Sequence, residues 1–511
     1  MQKNIKLNIF VWGLIFLFLV FGCNNSFVPV EQIPISYTVT FDSNGGSEVP
    51  VQEVQSGCFC ERPENPTNGD YIFLGWCKDS KEFDFRTEIK EDLVLKAKWG
   101  IKLKTGKEIN DLFKQMDTEE RGRYDITLAK TIKEAVVVPD TCNNYLDLGE
   151  KDILVWYDEE RKTIFYYIKN NYYMLFNEDS SGMFRDCREL ISIDFSKVDT
   201  RNVQNMNTMF YDCFSLQKID LSGFDTSNVV DMSDMFRFCE SLCVLDVSNF
   251  NTSKVTNMEG MFRTCKALKS IDLSNFDTST VINMSYMFSG CESMTKINLK
   301  NFNTSNVITM RSMFSECKLL TDLDLSCFDT SKVTDMTSLF SSCSSLEKIN
   351  LENFDTSNTV DMTSMFWNCK SLTELDLSMF NTKKVVSMNS MFLGCKLLSN
   401  IDLSSFDTSK VTEMSCVFQN CQSLETIDLS SFNTSKVTNM SSMFSGCINL
   451  VTIYVDEKWN TSKVYYAGAM FYDIPNILGE RGTKYDVTKQ DEIKYAHIDG
   501  GRSNPGYFTR K

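Results

Sequence analysis

Residues 424–450 read LETIDLSSFNTSKVTNMSSMFSGCINL, and they spell out one turn of a repeating coil. Side chains alternate along a strand, so in Leu424-x-x-Ile427-x-Leu429 the residues Ile427 and Leu429 face inward while Asp428 and Ser430 face out. Phe432 turns inward again, Asn433-Thr434-Ser435 makes a bend, and Val437 follows. Met440, Met443, Phe444 and Cys447 fall at i, i+3, i+4 and i+7, the spacing of one helical face. Asn439 stands where a helix cap would, as do Asp231, Asn257, Asp335 and Asp361 in other copies. The expected coil is therefore one short strand plus one short helix, with a three-strand β-helix as the competing reading.

The same text recurs along the chain. Cysteines stand at 187, 213, 239, 265, 291, 317, 343, 369, 395, 421 and 447, always 26 residues apart, and a degenerate last copy at Met470-Phe471 arrives one residue late. A fixed period of this size means a solenoid. One coil alone buries too little apolar surface to offset the entropy of ordering its backbone, so coils must stack. Stacking accounts for the excess among the 38 Phe: twelve form one column from Phe184 to Phe471, and nine form a second from Phe224 to Phe432.

Polar columns separate turn chemistry from surface chemistry. The bend residue is Asp199, Asp225, Asp277, Asp329, Asp355 or Asp407 in some copies and Asn251, Asn303, Asn381, Asn433 or Asn460 in the others. Charge is optional there, and the shared side-chain oxygen points to an Asx-turn. A Thr follows in every one of them, from Thr200 to Thr461, and reads as structural too. On the strand, the outward column is Asp194, Asp220, Asp246, Asp272, Asp324, Asp376, Asp402 and Asp428, interrupted by Asn298 and Asn350. It reads as a solvated acidic stripe, a ligand-facing surface or a cation ladder. The repeat cysteines sit beside Met and Phe, where a small hydrophobe serves. Helices packed about 8–10 Å apart would hold neighbours beyond the roughly 7 Å that a disulfide spans, so a ladder of buried, reduced thiols is expected.

The motif I-D-L-S-x-F-D-T-S-K-V-T-N-M-S-x-M-F-x-x-C, nearly verbatim at 271–291 and 427–447, resembles the BspA-like leucine-rich-repeat surface proteins with 26-residue copies. The tail I-D-G-G-R-S-N-P-G-Y-F at 498–508 resembles that family's closing segment. The resemblance implies an α/β solenoid, a leucine-rich-repeat-like right-handed coil, and a role in adhesion or host interaction. Phe replaces the Asn column of ordinary leucine-rich repeats.

Ahead of the solenoid, Tyr37–Phe41 alternates and stops at the turn signal Asp42-Ser43-Asn44-Gly45-Gly46; 71–76 and 93–99 are further strand-like runs. Asn44-Gly45-Gly46, Gly75-Trp76 and Ala97-Lys98-Trp99 together resemble the internalin-type B repeat, which implies a small β-grasp-like stalk module. Cys58, Cys60 and Cys77 lie in it and read as a disulfide or buried thiols rather than zinc ligands, since no His is near.

At the start, Lys3 and Lys6 precede the apolar run 7–22, too short for a confident span and laid out as an export signal. Val20-Phe21-Gly22-Cys23 resembles a bacterial lipoprotein box, with Phe21 as a departure, and so Cys23 is the expected lipidation site; an ordinary secretory signal or an uncleaved anchor is the alternative. The expected division is a signal at 1–22, a linker at 23–36, the β-grasp-like module at 37–99, a connector and N-terminal cap at 100–182, the solenoid at 183–471 and a C-terminal cap at 472–511. Residues 107–116 read as a short amphipathic helix, and 152–176 as a hairpin and strand whose Tyr166, Tyr167, Tyr172 and Tyr173 pack the cap or bind a partner.

With 52 Lys+Arg against 68 Asp+Glu the net charge is −16, which argues against a nucleic-acid partner. The single histidine, His497, excludes sites built on two or more. No nucleophile elbow or phosphate-cradling loop is present. The function expected is a non-enzymatic surface lipoprotein, without cofactor or metal, that binds a protein or glycan on a host or another bacterium. A structural stalk without a ligand is the alternative.

Overall fold

The computed structural model describes residues 35–116, 129–139, 145–149 and 152–511; Cys23 and the expected export signal at 1–22 lie outside them. The chain divides into two compact units, one of residues up to 66 with 76–97 and the other of 67–75 with 98–511.

In the first unit, strand Ser36–Asp42 pairs antiparallel with Gln52–Gln55 and parallel with the start of Leu93–Lys102. The alternation read in Tyr37–Phe41 is real: Val39 and Phe41 are buried, and Phe41 meets Trp76 edge-on at 5.0 Å. The turn falls where expected, with Asn44 at φ +51°, Gly45 at +93° and Gly46 N donating to Ser43 O at 3.0 Å. Asn44 Nδ2 also donates to Ala97 O at 3.2 Å, which ties two of the quoted motifs together. Cys60 and Cys77 are buried and Cys58 is exposed.

The second unit is a solenoid of coils whose equivalent residues are 26 apart. Short parallel strands mark one corner: Ser270–Asp272 beside Lys296–Asn298, Asp322–Asp324 beside Lys348–Asn350, and Thr426–Asp428 beside Thr452–Val455. A second register of single parallel bridges runs from Asp179–Asn205 through Asp231–Asn257 to Asn439–Tyr466. Both expected Phe columns lie in the core; the first is a continuous stack and the second stacks in part. From Phe184 to Phe471 each ring lies on the next, as in Phe184–Phe210 at 5.4 Å and Phe236–Phe262 at 6.0 Å, and Phe406–Phe432 stack at 6.4 Å in the second.

The expected helix is absent, and the solenoid is mostly β rather than α/β. Among the described residues the only α-helix is Gly106–Met116, outside the repeats. Where a helix was expected, backbone N–H groups alternate between two jobs. Met206, Thr208, Phe210 and Asp212 donate to Asp231, Ser233, Met235 and Arg237 of the next coil, while Met209, Tyr211 and Cys213 close tight turns onto Met206, Thr208 and Phe210. In all twelve copies the residues two before and two after the column Phe have φ between +51° and +77°, a region that breaks any α-helix. The bridge residue does not cap a helix either. Asp231 Oδ1 accepts from Ser233 N at 2.8 Å and Asn439 Oδ1 from Ser441 N at 3.0 Å, each an Asx-turn.

This geometry also overturns the distance argument about the cysteines. Neighbouring coils are hydrogen-bonded at strand spacing, about 4.8 Å, within reach of a disulfide. Instead the column from Cys213 to Cys447 carries free thiols. Each donates to the Phe carbonyl 29 residues earlier, as Cys239 does to Phe210 O at 3.1 Å.

The first coil is closed at three places. Strand Ser192–Ile193 pairs parallel with Thr131–Glu134, which pairs with Thr163–Ile168 and so leads into the hairpin with Ile153–Asp158. Strand Tyr173–Leu175 pairs with Val198–Asp199 on one side and Gly100–Lys102 on the other. The helix Gly106–Met116 covers the Phe column, with Phe113 stacked on Phe184 at 6.2 Å. It starts with a capping box, Thr105 N donating to Glu108 Oε2 at 2.9 Å and Glu108 N to Thr105 Oγ1 at 3.3 Å. Gly106 must be Gly, because a Cβ there would lie 2.3 Å from Ser181 O. Tyr166 and Tyr172 are buried in this cap. At the other end strand Phe508–Arg510 pairs with Thr452–Val455.

Candidate functional site

The strand corner displays the acidic column. Isoleucine and leucine anchor it from behind: Ile271, Leu323 and Ile427 are buried, while Asp272 and Asp324 on the same strands are exposed. Each carboxylate is held at its base. Asp194, Asp220, Asp246, Asp272, Asp324, Asp376, Asp402 and Asp428 each accept, through Oδ1, the backbone N–H two residues on, at 2.9–3.0 Å. Asn298 and Asn350 make the same bond at 3.3 and 3.1 Å. Every member is thus an Asx-turn, and all but the half-buried Asp194 and Asp428 are exposed as well, a dual role that residue identity alone does not separate.

The hydrogen bonds have an electrostatic consequence. Donation from Ser248, Ser274, Ser326, Ser378 and Ser404 holds Asp246, Asp272, Asp324, Asp376 and Asp402 below the usual carboxylate range. Asp402 also feels Asp376 and Asp428, which oppose that shift. At Asp428 partial burial raises the pKa, but Ser430 and Lys511 outweigh it, and Lys511 Nζ lies 2.9 Å from the carboxylate. Lys511 also sits 5.0 Å from the ring of Tyr454, the residue that follows Asp428 in register, so the column ends in a cation and an aromatic.

The other polar columns are consumed by the backbone. Asp225, Asn251 and Asn433 at the bend accept from Ser227, Ser253 and Ser435 N at 2.9–3.1 Å. From Thr200 to Thr434 the Thr column is buried, and each hydroxyl bonds the next coil: Thr278 Oγ1 donates to Asn303 O at 2.9 Å and accepts from Asn303 N at 2.8 Å. One exposed column escaped the reading of the repeat. Val230, Ile282, Ile308, Val360 and Val386 stand in register, all at least 40 % exposed, and the column ends beside Tyr465 and Tyr466. Its signal was present as a β-branched residue directly before the bridge position in nearly every copy. Among the described residues no group of three or more His, Cys, Asp or Glu could hold a metal ion. No described helix is long and apolar enough to cross a membrane.

Comparison with known proteins places this architecture. Residues 178–297, 283–400 and 371–485 match the family described as "Mycoplasma protein of unknown function, DUF285", which together is more than half of the chain. The chain belongs to the DUF285 family. Ahead of the DUF285 repeats, residues 37–98 match the Listeria-Bacteroides repeat domain. The two make this a repeat protein of the BspA and internalin kind, and such repeats are typical of surface adhesion-type proteins. Two proteins of Evansella cellulosilytica, one named as a membrane protein and one as a Gly-rich membrane protein, are 42% and 38% identical over 69 residues, 13% of this chain. The match spans only 10% and 8% of their lengths. Among solved structures, the TLR13–ssRNA13 complex aligns over 59% of this chain and 45% of its own at 15% identity and a TM-score of 0.23. The functional domain of InlJ from Listeria monocytogenes, described as including a cysteine ladder, aligns over 53% and 70% at 16% identity and a TM-score of 0.13.

Proposed function

We propose that this chain is exported, lipid-anchored through Cys23 to the bacterial envelope, and displays a right-handed DUF285 solenoid as a non-enzymatic interaction protein. Parallel strands joined by crossovers favour the right hand. The partner is a protein or glycan of a host or another bacterium, met through the strand corner. The observation that carries this reading is the use of the polar side chains. The bend and Thr columns are spent on the coil's own backbone, whereas the strand carboxylates use one oxygen for a turn and keep their charge exposed. A row of negative charges pre-positioned on a rigid ladder favours a basic partner surface, with salt-sensitive affinity because exposed charges are screened.

The test is a binding screen of the full chain against host matrix proteins, host cells and other bacteria, run beside the variant Asp324→Asn, Asp376→Asn, Asp402→Asn. Asparagine keeps the turn acceptor, as Asn298 and Asn350 do, and removes only charge. Salt-sensitive binding that weakens in the variant supports the reading. Unchanged affinity moves the site off the strand corner, and an absence of any partner leaves a structural stalk.

A further inference from the structure

The turn corner of the first six coils departs from the repeat. Directly after the column Phe stand Arg185, Tyr211, Arg237 and Arg263, where the next three copies have Ser289, Ser315 and Ser341. Two left-handed positions hold aromatics, Phe238 at φ +63° and Tyr286 at +60°, where most later copies use Ser, Asn or Gly. A bulky side chain is strained there, and such strain clusters at binding sites.

Rings and guanidinium groups interleave along the solenoid. Arg185 lies 4.6 Å from the ring of Tyr211, Arg237 lies 5.5 Å from Tyr211 and 4.8 Å from Phe238, and Arg263 lies 4.3 Å from Tyr286. Arg311 closes the row, donating Nε–H to the Tyr286 hydroxyl at 2.9 Å.

The acids nearby are already engaged. Asp186 faces Arg185 at 3.5 Å and Lys114 at 3.8 Å, Asp212 faces Arg188 at 2.6 Å, Asp234 faces Arg237 at 3.2 Å, and Asp335 faces Arg311 at 3.6 Å. Glu259 accepts from Asn283 Nδ2 at 2.9 Å. That leaves two donors unmatched. Nε of Arg237 is buried with no acceptor among the described residues. Arg263 makes no side-chain hydrogen bond or ion pair among the described residues. Burial and the like charge of Arg237 lower the pKa of Arg263 despite the opposing pull of Tyr286, Asp234 and Glu259, a penalty that a bound anion would relieve.

We propose that Arg237 and Arg263, flanked by Tyr211, Phe238 and Tyr286, bind the carboxylate or sulfate groups of an acidic polysaccharide. The planar fork of a guanidinium matches both groups bidentately. The row from Arg185 to Arg311 spans five coil steps, about 24 Å at about 4.8 Å per coil. A polymer with repeating charges can follow that row, whereas a lone ion needs only Arg263. The site lies on the turn corner, so it stands or falls independently of the strand-corner reading.

The test uses the full chain in detergent, with heparin as the sulfated probe, polygalacturonate as the carboxylated one, neutral dextran, and single-stranded DNA. Heparin, polygalacturonate or both should bind and dextran should not. Arg263→Gln should weaken binding about 10-fold or more, Arg263→Lys less, and Lys410→Gln, far along the solenoid, not at all. A thermal melt followed by circular dichroism checks each fold, and Arg263→Lys keeps the test open if Arg263→Gln unfolds. Three results overturn the proposal: no binding to either acidic polysaccharide, equal binding by Arg263→Gln, or DNA binding of the same strength and the same sensitivity to Arg263.

Discussion

The same substitution, made twice within one coil, should be costly at one position and nearly neutral at the other. Thr356 and Thr359 are both fully buried. Thr356 Oγ1 donates to Asn381 O at 3.1 Å and accepts from Asn381 N at 2.8 Å, so one hydroxyl satisfies both backbone groups of the next coil's bend. Thr359 occupies the column that Val333 and Val385 fill in the neighbouring coils, and its hydroxyl makes one longer bond, to Val333 O at 3.3 Å. Valine is close to threonine in shape, so Thr356→Val creates no cavity but strands a donor and an acceptor. At about 1–3 kcal/mol for each buried unsatisfied group, and with Asn381 only partly covered, the expected loss is about 2–4 kcal/mol. Thr359→Val restores the column residue and should fall within about 1 kcal/mol of wild type, on either side. A long repeat array need not unfold in two states, so the assay is native-state hydrogen exchange by peptide mass spectrometry. Amides around 381 should exchange about 30-fold faster or more in Thr356→Val, with little change in Thr359→Val. Equal protection in both variants, or equal loss in both, would refute the staple.

Three further outcomes are expected. Asp499 is buried; burial alone would raise its pKa, but donors from Thr483, Gly501 and Arg481 hold it at about 2, so its contribution of about 2 kcal/mol is present above the ordinary 3.8 and is lost as pH falls toward 2. Acid titration of the thermal midpoint should show that loss in wild type and a flatter response in Asp499→Asn. Burial pushes Cys291, Cys343, Cys395 and Cys447 up to about 12, so an alkylating reagent without reductant should spare them in the native protein and label them after denaturation; disulfide-linked peptides from consecutive copies would contradict this. Cys23→Ala should move the protein out of the detergent phase, and unchanged partitioning would exclude the lipid anchor.

The repeat length, both Phe columns, the Asx-turns at the bend and the capping helix were legible in the sequence, because each follows from a residue type recurring at a fixed step. The helix was misread for a definite reason. Spacing at i, i+3, i+4 and i+7 records which side chains point inward, and a run of tight turns with left-handed residues around Phe444 points the same ones inward as a helix would. What distinguishes the two is the population of the positions on either side of that Phe. Ser442 and Gly446, like Asp212, Asn368 and Asn420, are small or side-chain-bonding residues that tolerate positive φ and favour helix interiors poorly.

The same comparison of columns explains why the two candidate sites differed in visibility. An acidic residue in nearly every strand is conspicuous, yet its regularity has a structural cause, since each Asp closes a turn that Asn298 and Asn350 close as well. Regularity in a repeat is what the fold requires of every coil. A feature confined to some coils carries no such requirement, and Arg263, without a side-chain hydrogen bond or ion pair among the described residues, is of that kind. In a solenoid, departures from the period are therefore the more informative place to look for what one chain binds. The strand column, by contrast, must be tested with a substitution that keeps its turn intact.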